Sequence, residues 1–313
     1  MLPTSKDQYQ NVRLALGEPN REIRMTLMSQ FNTFGFSNIV SADTLRNIKN
    51  TVIKNQVDLI ICDENIEGDF AQLIKDIRHQ RIGNNPFLVA VATIEELTSE
   101  KVRQLTDCGI DDIIVKPISV GKLLERLRKI ATSRKPFVVT TDYTGPDRRK
   151  SDAPREGAQV IPTIDAPNPL VYLTEKGADK FDATEAIAKA SAIVNEQKME
   201  RHAFQMSFLV KRILPLYNER NGDEVEIKDI DRLIAIAIDI SKRLKISRFS
   251  DAANLCKSLT DLVKRIRLSH PDPTSRDLEL LPQLSQAVEL AFQETSKGSS
   301  SVQAIVDDLK ISS

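Results

Sequence analysis

Tryptophan is absent from the 313 residues, and aromatic side chains make up only 5% of them, so any core must be aliphatic. Hydrophobic content of 41% is enough to supply one. Cys62, Cys108 and Cys256 lie far apart in apolar runs. With no CxxC or Cys/His spacing there is no metal signature, and an odd count argues against a disulfide framework. Excess charge of either sign is lacking too: 44 basic residues balance 44 acidic ones. No global field therefore draws the chain to DNA, RNA or an anionic membrane. No helix combines several Lys or Arg with a helix-turn-helix layout, so nucleic acid is not an expected partner. No run approaches the roughly 20 apolar residues that span a bilayer. The opening MLPTSKDQYQ lacks the basic-then-apolar pattern of a secretory signal. The chain reads as cytoplasmic and reduced. Neither a phosphate-cradling Gly-rich loop nor a Ser/His/Asp set is visible, so an enzyme is not expected.

What is present is an alternation of short apolar runs and amphipathic helices over residues 12–131. Val12–Leu16 reads as a strand, followed by helical spacing of Ile23, Leu27, Phe31 and Phe34 until Gly35. Asn38–Ala42 is a weaker strand. Val57–Cys62 is a continuous apolar run, as expected of a strand buried on both faces of a parallel sheet. Phe70, Leu73, Ile74 and Ile77 make a helix face, Phe87–Ala92 a fourth strand, and Ile113–Val115 the centre of a fifth. Leu123, Leu124, Leu127 and Ile130 close the series. This pattern predicts a doubly wound α/β domain with a five-stranded parallel sheet over residues 1–133.

Residues 134–178 carry Pro136, Pro146, Pro154, Pro162, Pro167 and Pro169 and read as a mobile, partly extended linker. From 179 to 313 the pattern is helical. One helix runs from about Asp182 to Leu214 and stops at Pro215. Others hold Ile230–Ile238, Ala252–Ile266 and Leu281–Phe292, with Val302–Leu309 as a tail helix. Short connections predict an antiparallel bundle.

Ligands of doubly wound folds sit at the carboxyl ends of the strands, near the switch in strand order. There the sequence offers Asp63 after the third strand, Gly17-Glu18 after the first, Thr93 after the fourth and Lys116-Pro117 after the fifth. Two acids and a backbone carbonyl suit Mg²⁺. A lysine offers a point charge to phosphate oxygens. An aspartate nucleophile, a metal and a cation are the parts that accept a phosphoryl group. A lone strand-end Asp is more often a helix cap, and a lone Lys an exposed residue. Four such residues at the right strand ends favour a site.

These residues, with DLIICDENIEGD and GIDDIIVKPIS, resemble the receiver domains of two-component response regulators. The resemblance implies that Asp63 is phosphorylated, that Glu18 and Asp63 with the Asn65 carbonyl hold Mg²⁺, that Thr93 senses the phosphate and that Lys116 contacts it. FVVTTDYTGPDRRK is similar to a tail that follows receivers in alphaproteobacterial regulators. Three departures stand out. Gly17 replaces one of the two usual adjacent acids, ENIEGDF is one residue short, and Ile113 occupies the position of a switching aromatic.

Ala237-Ile238-Asp239-Ile240 and Ala253-Asn254-Leu255-Cys256 resemble a histidine-phosphotransfer bundle with Ile238 where the phosphorylated histidine would stand. The resemblance implies a degenerate phosphotransfer-like domain; a generic bundle fits the same residues. His79, His202 and His270 have surface contexts and are not expected to carry phosphate. Apolar faces such as Ala186–Val194 or Phe204–Leu209 can pair with another chain, either an unidentified partner or a second copy in a homodimer; core packing is the commoner fate. The sequence thus reads as a response regulator in a phosphorelay, phosphorylated on Asp63 by a sensor histidine kinase or phosphotransfer protein and signalling through protein contacts. A non-phosphorylated pseudo-receiver scaffold is the alternative. A flavodoxin-like enzyme is a third, distinguishable by flavin absorbance.

Overall fold

The computed structural model describes residues 9–54, 57–149, 161–173, 183–244 and 252–294. The chain divides into two compact units between Val194 and Asn195.

The first unit alternates β1 (Arg13–Gly17), α1 (Arg21–Thr33), β2 (Asn38–Ala42), α2 (Leu45–Ile53), β3 (Leu59–Asp63), α3 (Phe70–Arg78), β4 (Val89–Ile94), α4 (Ser99–Asp107), β5 (Asp112–Val115) and α5 (Val120–Thr132). The five strands form one sheet in the order β2-β1-β3-β4-β5, and every pairing is parallel. β3 and β4 are buried at every residue, as their unbroken apolar runs require. Period two then splits their side chains between two cores. Leu59, Ile61, Val89 and Val91 pack with Leu27 and Phe31 of α1 and Leu123, Leu124 and Leu127 of α5. Ile60, Cys62, Ala90 and Ala92 pack with Ile48 of α2, Ile74 of α3 and Leu105 of α4. The order reverses at β1, whose neighbours are β2 and β3, so the ligand crevice opens between the ends of β1 and β3.

Of the stretch expected to be a linker, residues 150–160 and 174–178 lie outside the described residues, and the described remainder departs from that reading. β6 (Phe137–Val139), β7 (Thr144–Pro146) and β8 (Thr163–Ile164) form an antiparallel sheet in the order β7-β6-β8. Phe87, Phe137, Val139 and Ile164 form a core with Ala190 and Val194 of α6 (Ala183–Asn218). Pro136 and Pro162 directly precede β6 and β8, and Pro146 ends β7, so these prolines bound short strands rather than keep the chain apart. The attachment is ionic as well as apolar. Asp111, 3% exposed at its side chain, lies between Arg78 at 2.8 Å and Arg134 at 3.0 Å. Arg78 also donates to the carbonyls of Pro86, Leu88 and Gly109, and Arg134 to those of Phe87 and Pro167. Both guanidiniums lie over the Phe137 ring, at 5.1 and 4.8 Å from its centroid. Gly109, at φ +87°, meets the backbone of Thr144 and Gly145 so closely that a Cβ would lie 2.5 Å from the Thr144 carbonyl oxygen. That approach needs glycine.

The second unit holds the remainder of α6 with α7 (Ile227–Leu244), α8 (Ala252–Ser269) and α9 (Ser275–Glu294). Their shared core runs from Met199 and Met206 through Ile236, Ile240, Leu259 and Val263 to Val288. α6 continues one turn past the proline expected to stop it: Pro215 lies inside the helix. Pro215 and Lys211 are both exposed, so the carbonyl left without a donor faces water, while Tyr217 beyond the proline is buried in the core. The tail helix expected at Val302–Leu309 lies outside the described residues.

The histidines also differ from their expected surface placement. His79 is buried at the end of α3, and half-buried His270 accepts or donates a 2.9 Å hydrogen bond with Tyr217. His202 is buried, its Nε2 2.8 Å from Asp239. Asp239 also accepts from Arg243, which reaches Asn195. Burial alone would raise the Asp239 carboxyl, but the His202 hydrogen bond and the Arg243 charge outweigh it and hold the group well below its usual range.

Two expectations follow. Asp111→Ala leaves two buried guanidiniums without their carboxylate and lowers the stability of the first unit by about 3–5 kcal/mol in denaturant unfolding. The stability that Asp239 confers is present above the unfolded carboxyl value of about 3.9 and is lost as pH falls below it toward the lowered folded value. Acid unfolding followed by circular dichroism therefore starts at neutral pH from a lower stability in Asp239→Asn, and the gap to wild type closes below about pH 4.

Candidate functional site

Asp63 is the last residue of β3, in register with Thr93 of β4. Its side chain is 1% exposed, and Lys116 and Glu18 beside it are 18% and 2% exposed. The Lys116 ammonium makes a close ion pair with Asp63 Oδ2 and a 3.2 Å pair with Glu18 Oε2. The Thr93 hydroxyl donates to Asp63 Oδ2 at 3.2 Å, and the Asn65 backbone N–H to Asp63 Oδ1 at 2.8 Å. Glu18 Oε1 accepts from the Asn20 backbone N–H at 2.9 Å. All five residues named from the sequence thus meet at the crevice: Glu18, Asp63, Asn65, Thr93 and Lys116.

Local structure explains how each arrives. Asn20 caps α1 through the Glu22 and Ile23 amides, which turns the chain sharply after β1 and leaves Glu18 over the crevice. Lys116 follows β5, its amide bonded to the Ile94 carbonyl. Burial opposes its charge, but the hydrogen bond and charge of Asp63, then those of Glu18, outweigh it and push the ammonium above its usual value.

The missing acid has a steric counterpart. Gly17 pairs with Cys62 across β1 and β3, and a Cβ at Gly17 would lie 2.6 Å from Cys62 Sγ and 3.1 Å from Ile66 Cδ1. A buried thiol therefore fills the space a second carboxylate would enter. Burial, then the charges of Asp63 and Glu18, push the Cys62 thiol far up, so it stays protonated. The donor set nevertheless fits Mg²⁺. Among the described residues no group of three or more His, Cys, Asp or Glu is placed to hold a metal. Mg²⁺ needs only one or two carboxylates besides waters and phosphate oxygens, and Glu18 and Asp63 already converge on one positive charge.

The sequence reading missed two residues. Glu64 accepts from the Glu95 amide at 2.9 Å and pairs with Lys101 of α4 at 3.0 Å, tying the loop after β3 to the one after β4. Glu64 follows Asp63 directly, a signal of position only; nothing in the sequence marks Lys101.

Residues 17–128 match the family model described as the response regulator receiver domain. Several solved structures are similar. The chemotaxis protein CheY4 of Vibrio cholerae matches with 21% identity and a TM-score of 0.35, over 38% of this chain and 98% of that one. The orphan response regulator HP1043 of H. pylori matches with 20% identity and a TM-score of 0.33, over 37% and 93%. A response regulator receiver protein from Pseudomonas putida matches with 21% identity and a TM-score of 0.34, over 38% and 97%. No curated protein matches the chain. No described helix is long and apolar enough to cross a membrane.

The packing at Gly17 gives a direct expectation. Gly17→Ala forces its Cβ against the Cys62 sulfur and destabilises the first unit by about 1–3 kcal/mol. Cys62→Ala in the same chain recovers part of that loss in denaturant unfolding, because the sulfur is the nearest obstacle.

Proposed function

Because residues 17–128 are a response regulator receiver domain, we propose that this protein accepts a phosphoryl group on Asp63 from a phosphohistidine donor, a sensor histidine kinase or phosphotransfer protein. The observation that carries this reading is the Lys116 ammonium shared by Asp63 and Glu18, with the Thr93 hydroxyl on the same Asp63 oxygen. In the transfer, the donor's N–P bond breaks as an Asp63 oxygen bonds to phosphorus. Lys116 holds the carboxylate in place beforehand and meets the new phosphoryl oxygens afterwards. Thr93 follows the phosphate by hydrogen bond, and the Asn65 amide fixes the other Asp63 oxygen. Glu18, Asp63 and the Asn65 carbonyl would hold Mg²⁺, which when bound supplies charge neutralisation for the phosphoryl oxygens.

A protein donor suits the surroundings of the site. Ile23 and Met25 near the start of α1, Leu97 after β4 and Val115 before Lys116 are all exposed, an apolar fringe that a small phosphate donor would not use. Phosphorylation adds about −1.5 to −2 charge beside Lys116. Lys116 then leaves Glu18 or shares it with phosphate, and the loops holding Thr93 and Glu64 shift. With Ile113 in place of an aromatic, the Glu64–Lys101 pair is the element that would pass this change to α4.

The output is protein contact rather than catalysis of small-molecule turnover, among cytoplasmic partners. The receiver with its GPDRR tail is read as of alphaproteobacterial type, and the helical unit as a degenerate phosphotransfer-like bundle. Half-buried Ile238 cannot carry phosphate, and its neighbour Asp239 is committed to His202 and Arg243.

Acetyl phosphate with Mg²⁺ should add one phosphoryl group by intact mass, and chelation of Mg²⁺ or Asp63→Asn should abolish the gain. Lys116→Ala should slow it on the order of 10²-fold. An unchanged mass, together with no chemical-shift response to beryllofluoride, would instead favour the pseudo-receiver scaffold.

A further inference from the structure

The second unit leaves one stripe of α6 apolar and uncovered. Phe204 and Phe208, one turn apart, are 67% and 56% exposed, while Met199, Met206, Leu209 and Ile213 of the same helix are buried in the bundle core. Leaving two phenylalanine rings in water is unfavourable. The same exposed face carries Glu200 one turn before the pair and Lys211 one turn after it. Neither Glu200 nor Lys211 has an ion-pair partner among the described residues. Arg212 is different: it is committed to Glu226 and Asp229 of its own unit.

Acid, aromatic, aromatic, base in that order along one stripe is self-complementary under a two-fold axis. Turning a second copy about an axis between Phe204 and Phe208 sets each Phe204 against Phe208 of the other copy and each Glu200 against Lys211. A parallel arrangement would oppose like charges instead. An unrelated partner would have to bring the same order reversed, whereas a second copy supplies it by symmetry. We propose that this stripe is a homodimerisation surface, with α6 pairing antiparallel to α6. The proposal does not rest on phosphorylation of Asp63.

Sedimentation equilibrium of the full chain tests it. The wild type should pass from monomer to dimer as concentration rises. Phe204→Glu with Phe208→Glu should remain monomeric, with helical content unchanged by circular dichroism, since both rings are exposed. Glu200→Lys should weaken the dimer about five- to tenfold, because each of the two symmetric pairs becomes repulsive. Glu200→Lys with Lys211→Glu should restore wild-type affinity, an outcome that general loss of apolar surface or misfolding cannot mimic. A wild type that stays monomeric at every concentration would overturn the proposal. So would a dimer that survives the double phenylalanine variant, or a double charge reversal that fails to recover.

Discussion

The carboxylate of Asp111 is the point on which the N-terminal unit turns. It sits where the chain enters β5, accepts from the Ala90 amide of β4, and holds Arg78 from α3 and Arg134 from beyond α5. Two buried guanidiniums around one carboxylate would be unfavourable if their remaining N–H groups were unpaired. Here the carbonyls of Pro86, Phe87, Leu88, Gly109 and Pro167 take most of them. Four of those carbonyls precede β4 and β5 and the fifth, of Pro167, follows β8, so one charged cluster fastens the floor of the large sheet, the small β6–β8 sheet and Phe137 together. The crevice of Glu18, Asp63 and Lys116 lies at the opposite ends of the same strands.

The sheet was legible because its determinants are local. Short unbroken apolar runs suit doubly buried strands, and their alternation with amphipathic helices points to a parallel sheet. The site was legible for a related reason: in this topology a residue's place at a strand end fixes its place in the crevice. The segment after α5 was harder, since prolines and polar residues look alike in a linker and in three-residue strands. What folds it is long-range pairing of Arg134 and Arg148 with carbonyls and a glycine-on-glycine approach, none of which has a period. His202 misled because KMERHAF is charged. Yet Met199, His202, Ala203 and Met206 recur at helical spacing, so the buried face was written there, with Asp239 as the distant partner that makes it tolerable.

The two ends of the chain's chemistry use charge differently. Around Asp63, two carboxylates that are 1% and 2% exposed share one ammonium that is 18% exposed. Asp111, 3% exposed, pairs with two guanidiniums, and Asp239, 17% exposed, with an imidazole and a guanidinium, and these ion pairs hold structure. Place in the topology, rather than burial, separates these acids: Asp63 ends β3 at the crevice, Asp111 lies where the chain enters β5, and Asp239 lies within α7.

Cys62 and Gly17 constrain the history open to this pocket. Because the sulfur occupies the volume beside the glycine, any side chain at position 17 is costly until the neighbouring strand is trimmed. The order of substitutions matters, and each position sets the tolerance of the other. The single-glutamate pocket is thus held in place by its packing as well as by its charges.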